Sequence, residues 1–470
     1  MRSLVDLSPR DFVDHLGALG LREAFATTDA EGTIRVSHPG VTDLGAFLRE
    51  SSDYAAHEGV FLARGDETGA LFGAFVHDTR RGLAQGGLRF WPYESVGDLL
   101  RDGLRLAQGM TRKNALAGLW WGGGKGIIAR DPAADYRDPG YRRTLYREYG
   151  AFVTGLRGAY VTAEDVGTGP ADMAEVFTTT RFVTCIPPAV GGAGNPSPAT
   201  AQGVVCAMEG ALDYLGLGTL EGKTIAMQGL GNVGSSMLDE LLLRGIGKAI
   251  ASDISQERLD ELGRRYQGAP VELRLLPPGD ASILAEPCDI LAPNALGAIL
   301  NPQTIPAIRA RIVCGAANNQ LLDAARDGEA IRARGLCYVP DFLANRMGIV
   351  RVANEQYGHL PDDPAIRRHL GREWENSVFA VTRKTLALAD REGITTAAAA
   401  IRIADERARD GHPLWGHRGR HHRRLSGLRC RAAANERGGA GSPRRSLYGI
   451  VVGDAPPAPG RRVRPRARRL

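Results

Sequence analysis

The chain has 470 residues, of which 43% are hydrophobic and 24% are charged. That composition is typical of a globular protein, and the length is sufficient for two or more domains. Its longest apolar runs fall short of the roughly 18 residues that a membrane span needs. Acidic residues interrupt the first 21 positions, so no secretory signal is predicted and a cytoplasmic location is expected.

Charge is distributed unevenly along the chain. Residues 418–470 carry a net charge of +13, whereas residues 1–417 carry −7. The composition of residues 1–417 therefore gives no reason to expect that they bind nucleic acid. The last segment is rich in Arg, Gly and Pro, which predicts a disordered tail. Two hypotheses fit it: a basic arm for nucleic acid or a membrane surface, or an out-of-frame extension of the coding sequence.

The cysteines do not form a closely spaced set. No pair has the spacing of a zinc site or a redox centre, so no metal site is predicted. Several lie in apolar, strand-like runs, which favours buried, reduced thiols. The six are Cys185, Cys206, Cys288, Cys314, Cys337 and Cys430.

The first 198 residues indicate a catalytic α/β domain. Apolar patterning and turn residues predict the following elements: a strand at Leu71–His77, a helix at Glu94–Leu116, a Gly-rich turn at 122–126, a strand at Ile127–Ala129 and a strand-like run at Ala159–Thr162. Asp131-Pro132 should end the strand at Ile127–Ala129, because proline lacks an amide donor.

After a linker near Asn195–Pro198, strands and helices alternate. A helix is expected at Thr200–Leu215, followed by strands at Thr224–Gln228, Ala249–Ser252, Ile290–Ala292, Arg311–Cys314 and Cys337–Val339. This order predicts a doubly wound parallel sheet. The proposed domains are 1–198 (catalytic), 199–345 (dinucleotide-binding), 346–417 (helices returning to the catalytic domain) and 418–470 (tail).

The segment QGLGNVG contains a dinucleotide-binding motif, with Gly229, Gly231 and Gly234 between a strand and an amphipathic helix. The first glycine should form the tight turn, the second should admit the pyrophosphate, and the third should allow close packing. Asn232 and Val233 begin the helix. The motif predicts a Rossmann fold.

Asp253 ends the next predicted strand. An acid there can accept hydrogen bonds from the ribose hydroxyls and would repel a 2′-phosphate. The sequence therefore favours NAD over NADP. The alternative is that Asp253 only caps the following helix.

Lys113, Lys125 and Asp165 lie in or beside glycine-rich segments upstream of this motif. A Lys desolvated in a cleft beside another cation has a lowered pKa and can act as a general base. The alternatives are a solvated surface lysine and a turn-forming aspartate.

Taken together, the motifs resemble the glutamate/leucine/phenylalanine/valine dehydrogenase family over roughly residues 55–417, and most closely its leucine dehydrogenase branch. They are GGLRF, LAQGMTRKNALAGL, GGGKG, TAEDVGT, GNPSPATAQG, QGLGNVG, APNALG, GAANNQ and PDFLANRMG.

The resemblance implies oxidative deamination of an amino acid in a cleft between two domains, and a homo-oligomer. It implies that Lys113 binds the substrate carboxylate, Lys125 activates water, and Asp165 moves protons to and from the substrate nitrogen. It also implies that the pair Gly86-Gly87 lies against the substrate. Residues near the nicotinamide would be Thr200, Asn318 and Asn345.

Two positions bear on the substrate side chain. The glutamate branch has Lys where this chain has Gln85 and Ser where it has Val352, so the resemblance favours an apolar, leucine-like substrate. The leucine branch, however, usually has Leu at the position of Gln85. Arg346 also departs from the usual pattern and could pair with a second carboxylate, which leaves glutamate as an alternative.

Two rival classes remain. One is a non-catalytic NAD-binding regulator with the same fold. The presence of Lys113, Lys125 and Asp165 argues against it. The other is a hydroxy acid dehydrogenase, which would require a His–carboxylate pair that the motif-rich segments lack.

Overall fold

A computed structural model describes residues 3–414 apart from residues 359 and 361. The described chain is a mixed α/β structure with two β-sheets. Within it, none of the helices combines the length and the apolar character needed to cross a membrane. The predictions made for Cys430 and for the tail at 418–470 lie outside the described residues.

The first sheet has seven strands in the order β2-β1-β3-β4-β6-β5-β7. Strand β5 runs parallel to β6 and β7, and the other pairs are antiparallel. The bounds are β1 Glu23–Thr28, β2 Ile34–Val36, β3 Gly59–Arg64, β4 Leu71–Asp78, β5 Ala84–Trp91, β6 Gly122–Ala129 and β7 Tyr160–Glu164. Five helices accompany it: α1 Pro9–Ala18, α2 Thr42–Glu50, α3 Val96–Leu116, α4 Pro139–Gly155 and α5 Pro170–Phe177.

Both faces of this sheet are covered. Alternate residues of a strand point to opposite faces, so Phe72 and Ile128 pack in the core beneath α4. Phe75 and Ile127 lie in the separate core beneath α3. The face that carries α3 is the one that bears Lys125.

One expectation for this region is wrong. Residues 122–126 form the first part of strand β6, which runs unbroken to Ala129, and not a Gly-rich turn. The glycines are there because β6 is tightly packed. A Cβ on Gly123 would lie 2.1 Å from the amide nitrogen of Thr111 in α3, and one on Gly126 would lie 2.1 Å from the Tyr149 hydroxyl oxygen.

The second sheet has six strands, all parallel, in the order β10-β9-β8-β11-β12-β13. This confirms the predicted doubly wound sheet. The bounds are β8 Thr224–Gln228, β9 Lys248–Asp253, β10 Val271–Leu275, β11 Ile290–Pro293, β12 Ile312–Val313 and β13 Cys337–Tyr338. Strand β10 was not predicted. It is a half-exposed edge strand that contains the ion pair of Glu272 and Arg274.

The remaining helices flank the second sheet and continue beyond it. They are α6 Ser197–Tyr214, α7 Asn232–Leu243, α8 Gln256–Arg265, α9 Arg326–Ala333, α10 Asp341–Ala344, α11 Met347–Ala353, α12 Pro364–Leu370, α13 Val378–Glu392 and α14 Thr396–Ala408. Met227 of β8 packs towards α6 and α7, whereas its neighbour Ala226 packs in a separate core on the opposite face.

The last helices return to the first sheet, as predicted. Helix α13 packs against α6, and α14 packs against α3. Arg112 of α3 forms an ion pair with Asp405 of α14 at 2.9 Å, and the guanidinium of Arg407 donates to the Leu116 carbonyl at 2.8 Å. The boundaries placed at residues 198, 345 and 417 remain predictions.

Candidate active site

Three parallel strands of the first sheet hold the chemical residues. Register pairs Gln85 of β5 with Gly123 of β6 and with Val161 of β7, so these residues point to the same face. Two residues further along, Gly87 of β5 pairs with Ala163 of β7, and Lys125 follows Gly123 by two residues on β6. Asp165 follows the last residue of β7. Parallel strands thus bring together residues that are far apart in sequence.

Lys125 and Asp165 are in direct contact through Nζ and Oδ2. The lysine is 4% exposed. Burial lowers the pKa of Lys125 below its usual value, and the neighbouring carboxylate opposes that shift without cancelling it. Burial would raise the pKa of Asp165, but the charges of Lys125 and Arg89 outweigh it and lower the pKa.

Lys113 lies in the last turn of α3, on the side of the sheet that bears Lys125. Burial lowers the pKa of Lys113, opposed by the carboxylates of Asp341 and Asp165, and the positive charge of Lys125 lowers it further. The two lysines therefore share one electrostatic environment. Each is expected to lose its proton more readily than a solvated lysine.

The Gly-Gly pair of β5 is required by the fold itself. A Cβ on Gly86 would lie 1.7 Å from the Gly124 carbonyl oxygen, and one on Gly87 would lie 2.6 Å from the Cβ of Asp165. Neither position tolerates a side chain. The two glycines therefore allow β6 and Asp165 to pack directly against β5.

Asp165 is supported by residues that were not predicted from the sequence. Arg89 lies 3.5 Å from Asp165 Oδ2 and also pairs with Asp102 at 3.0 Å, while the Tyr93 hydroxyl donates to Asp102 at 2.6 Å. The Asp165 amide donates to Thr168 Oγ1 at 2.9 Å. Arg89 belongs to the GGLRF motif. Because side chains of a strand alternate between the two faces of the sheet, Arg89 could have been predicted to lie on the same face as Gly87.

Asp341 was also missed. Its carboxylate accepts a hydrogen bond from the Asn319 amide at 2.7 Å, and burial raises the pKa of Asp341. The only available signal was its place in the PDFLANRMG motif, because no local pattern reveals its proximity to Lys113.

The glycine motif of the second sheet has the geometry that a pyrophosphate site requires. Gly229 has a φ of +90°, which makes the tight turn. A Cβ on Gly231 would meet no protein atom within 4 Å, whereas one on Gly234 would lie 2.1 Å from the Gly229 carbonyl oxygen. Asn232 and Val233 begin α7, whose amide groups favour an anion.

Asp253 lies at the end of β9 beside this turn. Its carboxylate accepts from the Leu230 amide at 2.8 Å and from the Ser255 amide at 3.0 Å. The N-cap of α8 is Ser255, which accepts from the Arg258 amide, so Asp253 does not itself cap that helix. Asp253 instead holds the glycine turn that follows β8 against the end of β9.

Three more predicted residues lie where the second sheet meets α6 and α10. Asn345 donates to Asn318 Oδ1 at 2.7 Å and to the Ala316 carbonyl at 3.0 Å. The Oδ1 of Asn345 is buried and has no hydrogen-bond partner among the described residues. The Thr200 hydroxyl donates to the Pro196 carbonyl at 3.0 Å. A Cβ on Gly348 would lie 2.7 Å from the hydroxyl oxygen of Thr200.

A dinucleotide fits this set of residues. The open space at Gly231 and the N-terminus of α7 suit its phosphates, and Asp253 suits its ribose. Buried polar atoms without partners in the described structure would gain them from a ligand: Gln228 Oε1, Asn294 Nδ2 and Asn345 Oδ1.

Comparison with known proteins identifies the family of this chain. The family model for the Glu/Leu/Phe/Val dehydrogenase dimerisation domain matches residues 66–182, and that for glutamate/leucine/phenylalanine/valine dehydrogenase matches residues 191–256. Leucine dehydrogenase of Geobacillus stearothermophilus is 40% identical over 359 residues, covering 76% of this chain and 91% of that protein. The chain belongs to the glutamate/leucine/phenylalanine/valine dehydrogenase family.

Other relatives extend the family likeness. Valine dehydrogenase of Streptomyces coelicolor is 37% identical, covering 77% of this chain and 95% of that protein. The crystal structure of L-tryptophan dehydrogenase from Nostoc punctiforme matches with a TM-score of 0.62 and 31% identity, covering 75% of this chain and 96% of that one. A glutamate dehydrogenase of Thermus thermophilus, at 22% identity and a TM-score of 0.59, shares the fold.

Lys125 and Asp165 are in contact, and both act electrostatically on Lys113. The two positions expected to select the substrate side chain are both buried. Gln85 lies on the face of Lys125 and is fully buried. Val352, in α11, is buried in the same hydrophobic cluster as Ala163, the residue of β7 that is level with Gly87. Its neighbour Ala353 packs with Val161, the residue level with Gln85.

Arg346 cannot serve as the alternative partner of a substrate carboxylate in this arrangement. It is fully buried, and its two terminal nitrogens donate to the carbonyls of Leu116 and Asn376. Burial lowers the pKa of Arg346 to about 9. Its role is to join α11 to the end of α3.

No group of three His, Cys, Asp or Glu residues within the described chain could hold a metal ion. The five described cysteines are unpaired; Cys185, Cys206 and Cys314 are buried, while Cys288 and Cys337 are partly exposed.

Proposed function

We propose that this protein is an NAD-dependent amino acid dehydrogenase that converts an apolar, leucine-like L-amino acid to its 2-oxo acid and ammonium. The observation that carries the proposal is the contact of a buried lysine, Lys125, with Asp165 beside a second lysine, Lys113. Membership of a family of amino acid dehydrogenases supports it.

Each chemical residue has a distinct proposed role. Lys113 binds the substrate α-carboxylate through its ammonium group. Asp165 takes a proton from the substrate amino group and later returns one to the departing ammonia. Lys125, with its lowered pKa, removes a proton from the water that attacks the imine carbon.

Bound NAD would supply the acceptor for the hydride that leaves the substrate Cα. We assign its pyrophosphate to Gly229, Gly231 and Gly234 with the first turn of α7. Asp253 would accept hydrogen bonds from the ribose hydroxyls and disfavour the 2′-phosphate of NADP. The nicotinamide end is assigned to Thr200, Asn318 and Asn345.

An uncharged substrate side chain is favoured over glutamate. A second carboxylate would need a cation, and Arg346 is already committed to two backbone carbonyls. Without such a partner, burying the charge is costly. Gln85 and Val352 remain the proposed determinants of side-chain choice.

The test is a spectrophotometric assay of NADH formation with a panel of L-amino acids, repeated with NADP. We expect turnover with leucine, valine or isoleucine, little with glutamate, and a preference for NAD. Binding of NAD without turnover of any amino acid would overturn the proposal and favour a non-catalytic regulator.

We further propose that the protein acts in the cytoplasm as a homo-oligomer. The match of residues 66–182 to a dimerisation domain supports self-association. Light scattering on the purified full-length chain would test it, and a monomeric mass at micromolar concentration would contradict it.

A further inference from the structure

Arg346 is a buried cation whose hydrogen-bond partners are backbone carbonyls. Its terminal nitrogens donate to Leu116 and Asn376, and its Nε has no partner among the described residues. A cation that is held by carbonyls rather than by a carboxylate is costly to bury. Arg346 also departs from the family pattern of its segment, so the family fold does not itself require an arginine there. The position calls for a role beyond packing.

On one side, Arg346 is joined to the part of the site assigned to the nicotinamide. The residue before it, Asn345, donates to Asn318 Oδ1 and to the Ala316 carbonyl, in the segment that follows β12 of the second sheet. Consecutive Cα atoms lie about 3.8 Å apart across a planar peptide bond. A ligand that fixes Asn345 therefore also restricts the backbone of Arg346.

On its other side, Arg346 holds the lysine-bearing helix. Leu116 is the last residue of α3, where helix carbonyls lack intrahelical donors and attract cations. The hydrogen bond from Arg346 to the Leu116 carbonyl is 2.8 Å long. Lys113 lies three residues earlier, about 4.5 Å along the helix axis. Any displacement of this helix end consequently reaches the lysine assigned to the substrate carboxylate.

A second arginine holds the same carbonyl from another direction. Arg407 of α14 donates to the Leu116 carbonyl, also at 2.8 Å, and its own backbone carbonyl accepts from Arg81. These contacts tie α14 to the region of the first sheet. Of the two arginines, Arg346 is the one whose chain neighbour belongs to the nicotinamide end of the site.

We propose that Arg346 is a positioning residue that couples the binding of the two ligands. A dinucleotide held at Asn345 fixes Arg346, and Arg346 fixes the end of α3 so that Lys113 meets the substrate carboxylate. The amino acid then binds more tightly to the dinucleotide-bound protein than to the free protein, and the dinucleotide gains by the same factor from the amino acid. This inference rests on the proposed function and adds a linkage between its two sites.

The test measures this coupling by calorimetric titration of leucine into the protein with and without saturating NADH, a pair of ligands that cannot react with each other. The ratio of the two Kd values is the coupling factor. Arg346→Met removes the guanidinium and keeps most of the side-chain length. We expect the coupling factor to fall about tenfold in this variant, within the usual range of such linkages. The Kd of NADH alone should change less than threefold, and the KM for leucine should rise more than kcat falls.

Arg407→Met is the matched control. Both variants remove one donor from the Leu116 carbonyl, so both should lower Tm. The coupling factor should stay within twofold of the wild-type value in Arg407→Met. An equal fall in both variants would show that the carbonyl only needs donors and would overturn the inference, as would an unchanged coupling factor in Arg346→Met.

Arg346→Lys carries the same test if Arg346→Met does not fold. It keeps the positive charge but offers one nitrogen in place of the two that now reach separate carbonyls. We expect the coupling factor to fall about threefold in Arg346→Lys. A wild-type coupling factor in this variant would overturn the inference.

The same measurements separate failure of this inference from failure of the proposed function. Leucine that binds the wild type equally well with and without NADH would overturn the inference, and turnover of leucine by that protein would leave the proposed function intact. A coupling factor that Arg346→Met abolishes, in a protein that oxidises no amino acid, would support the inference and contradict the proposed function.

Discussion

At the scale of single residues, opposing effects set the protonation of Lys125. Burial favours the neutral amine, whereas contact with Asp165 favours the ammonium. A group held between these influences can give up and regain a proton as charges on the substrate change. Arg89 adds a second positive charge beside Asp165 and keeps that carboxylate ionised.

Lys125→Met should remove turnover while leaving the dinucleotide site intact. We expect kcat to fall by about 10³-fold, the usual contribution of a positioned acid–base group. NADH binding, followed by fluorescence, should change less than threefold. Lys384→Met is the control, since Lys384 is exposed on α13; loss of activity in both variants would contradict the assignment.

Two neighbouring histidines, the buried His57 and the partly buried His77, lie near α3. His57 donates from Nε2 to the Leu104 carbonyl at 2.8 Å, and its ring centroid is 4.6 Å from that of His77. Burial and the neighbouring His77 lower the pKa of His57 to about 3. Burial also lowers the pKa of His77. Both rings are therefore neutral in the folded protein at pH 7.

This pair should make the fold sensitive to acid. An unfolded histidine binds its proton near pH 6.5, whereas His57 in the fold resists until about pH 3, so its contribution is complete above pH 6.5 and is lost as the pH falls. At pH 5 the loss from His57 alone is about 2 kcal/mol. Urea unfolding at pH 7 and pH 5 should show a smaller decrease for His57→Gln than for the wild type. An identical decrease would contradict the prediction.

At the scale of elements, the sequence predicted those whose local pattern is unambiguous. Strand β8 and the apolar face of α7, with Met237 and Leu241 buried, were found correctly. Only Ile127–Ala129 of strand β6 was predicted, because the first five residues of the strand include four glycines, which usually mark turns. Gly123 and Gly126 reflect close contacts with α3 and α4, and Gly122 and Gly124 reflect close contacts with Asp78 and Tyr160. These neighbours come from distant parts of the chain, so no local pattern could reveal them.

Gly123→Ala tests that explanation. Its Cβ would lie 2.1 Å from Thr111 N and Oγ1, so α3 must move away from β6 and carry Lys113 with it. We expect a loss of about 1–3 kcal/mol in the free energy of unfolding, as for an overpacked core, and a raised KM for the amino acid. Gly109→Ala on the exposed side of α3 is the control, because its Cβ would meet no atom within 4 Å. It should be neutral or slightly stabilising, and equal losses in the two variants would contradict the explanation.

At the scale of the whole molecule, alternating strands and helices were enough to predict the parallel sheet and the returning helices. The site could be predicted only in part. Lys125 and Asp165 stood out through their motifs, whereas Arg89 and Asp341 did not, because their roles depend on which strands and helices become neighbours. The assignment of Arg346 to a substrate carboxylate failed for the same reason, since its partners Leu116 and Asn376 are remote in sequence.

The uneven charge gives a prediction for the complete chain. Truncation after His417 should change the net charge at pH 7 from +6 to −7, so retention should move from a cation exchanger to an anion exchanger. The described helices end at Ala408, so we expect kcat/KM to remain within twofold of the full-length value. A truncated protein that loses activity would show that residues 418–470 contribute to the enzyme.

The hydrogen bonds at the end of α3 also set an order of events during synthesis on the ribosome. The strands of the first sheet have all been translated by Glu164, yet the Leu116 carbonyl finds its donors only when Arg346 and then Arg407 have been made. A nascent chain that stops between them holds every strand of both sheets without α14, the helix that covers α3. The partners that hold the end of the lysine-bearing helix are thus the last to become available as the chain is made.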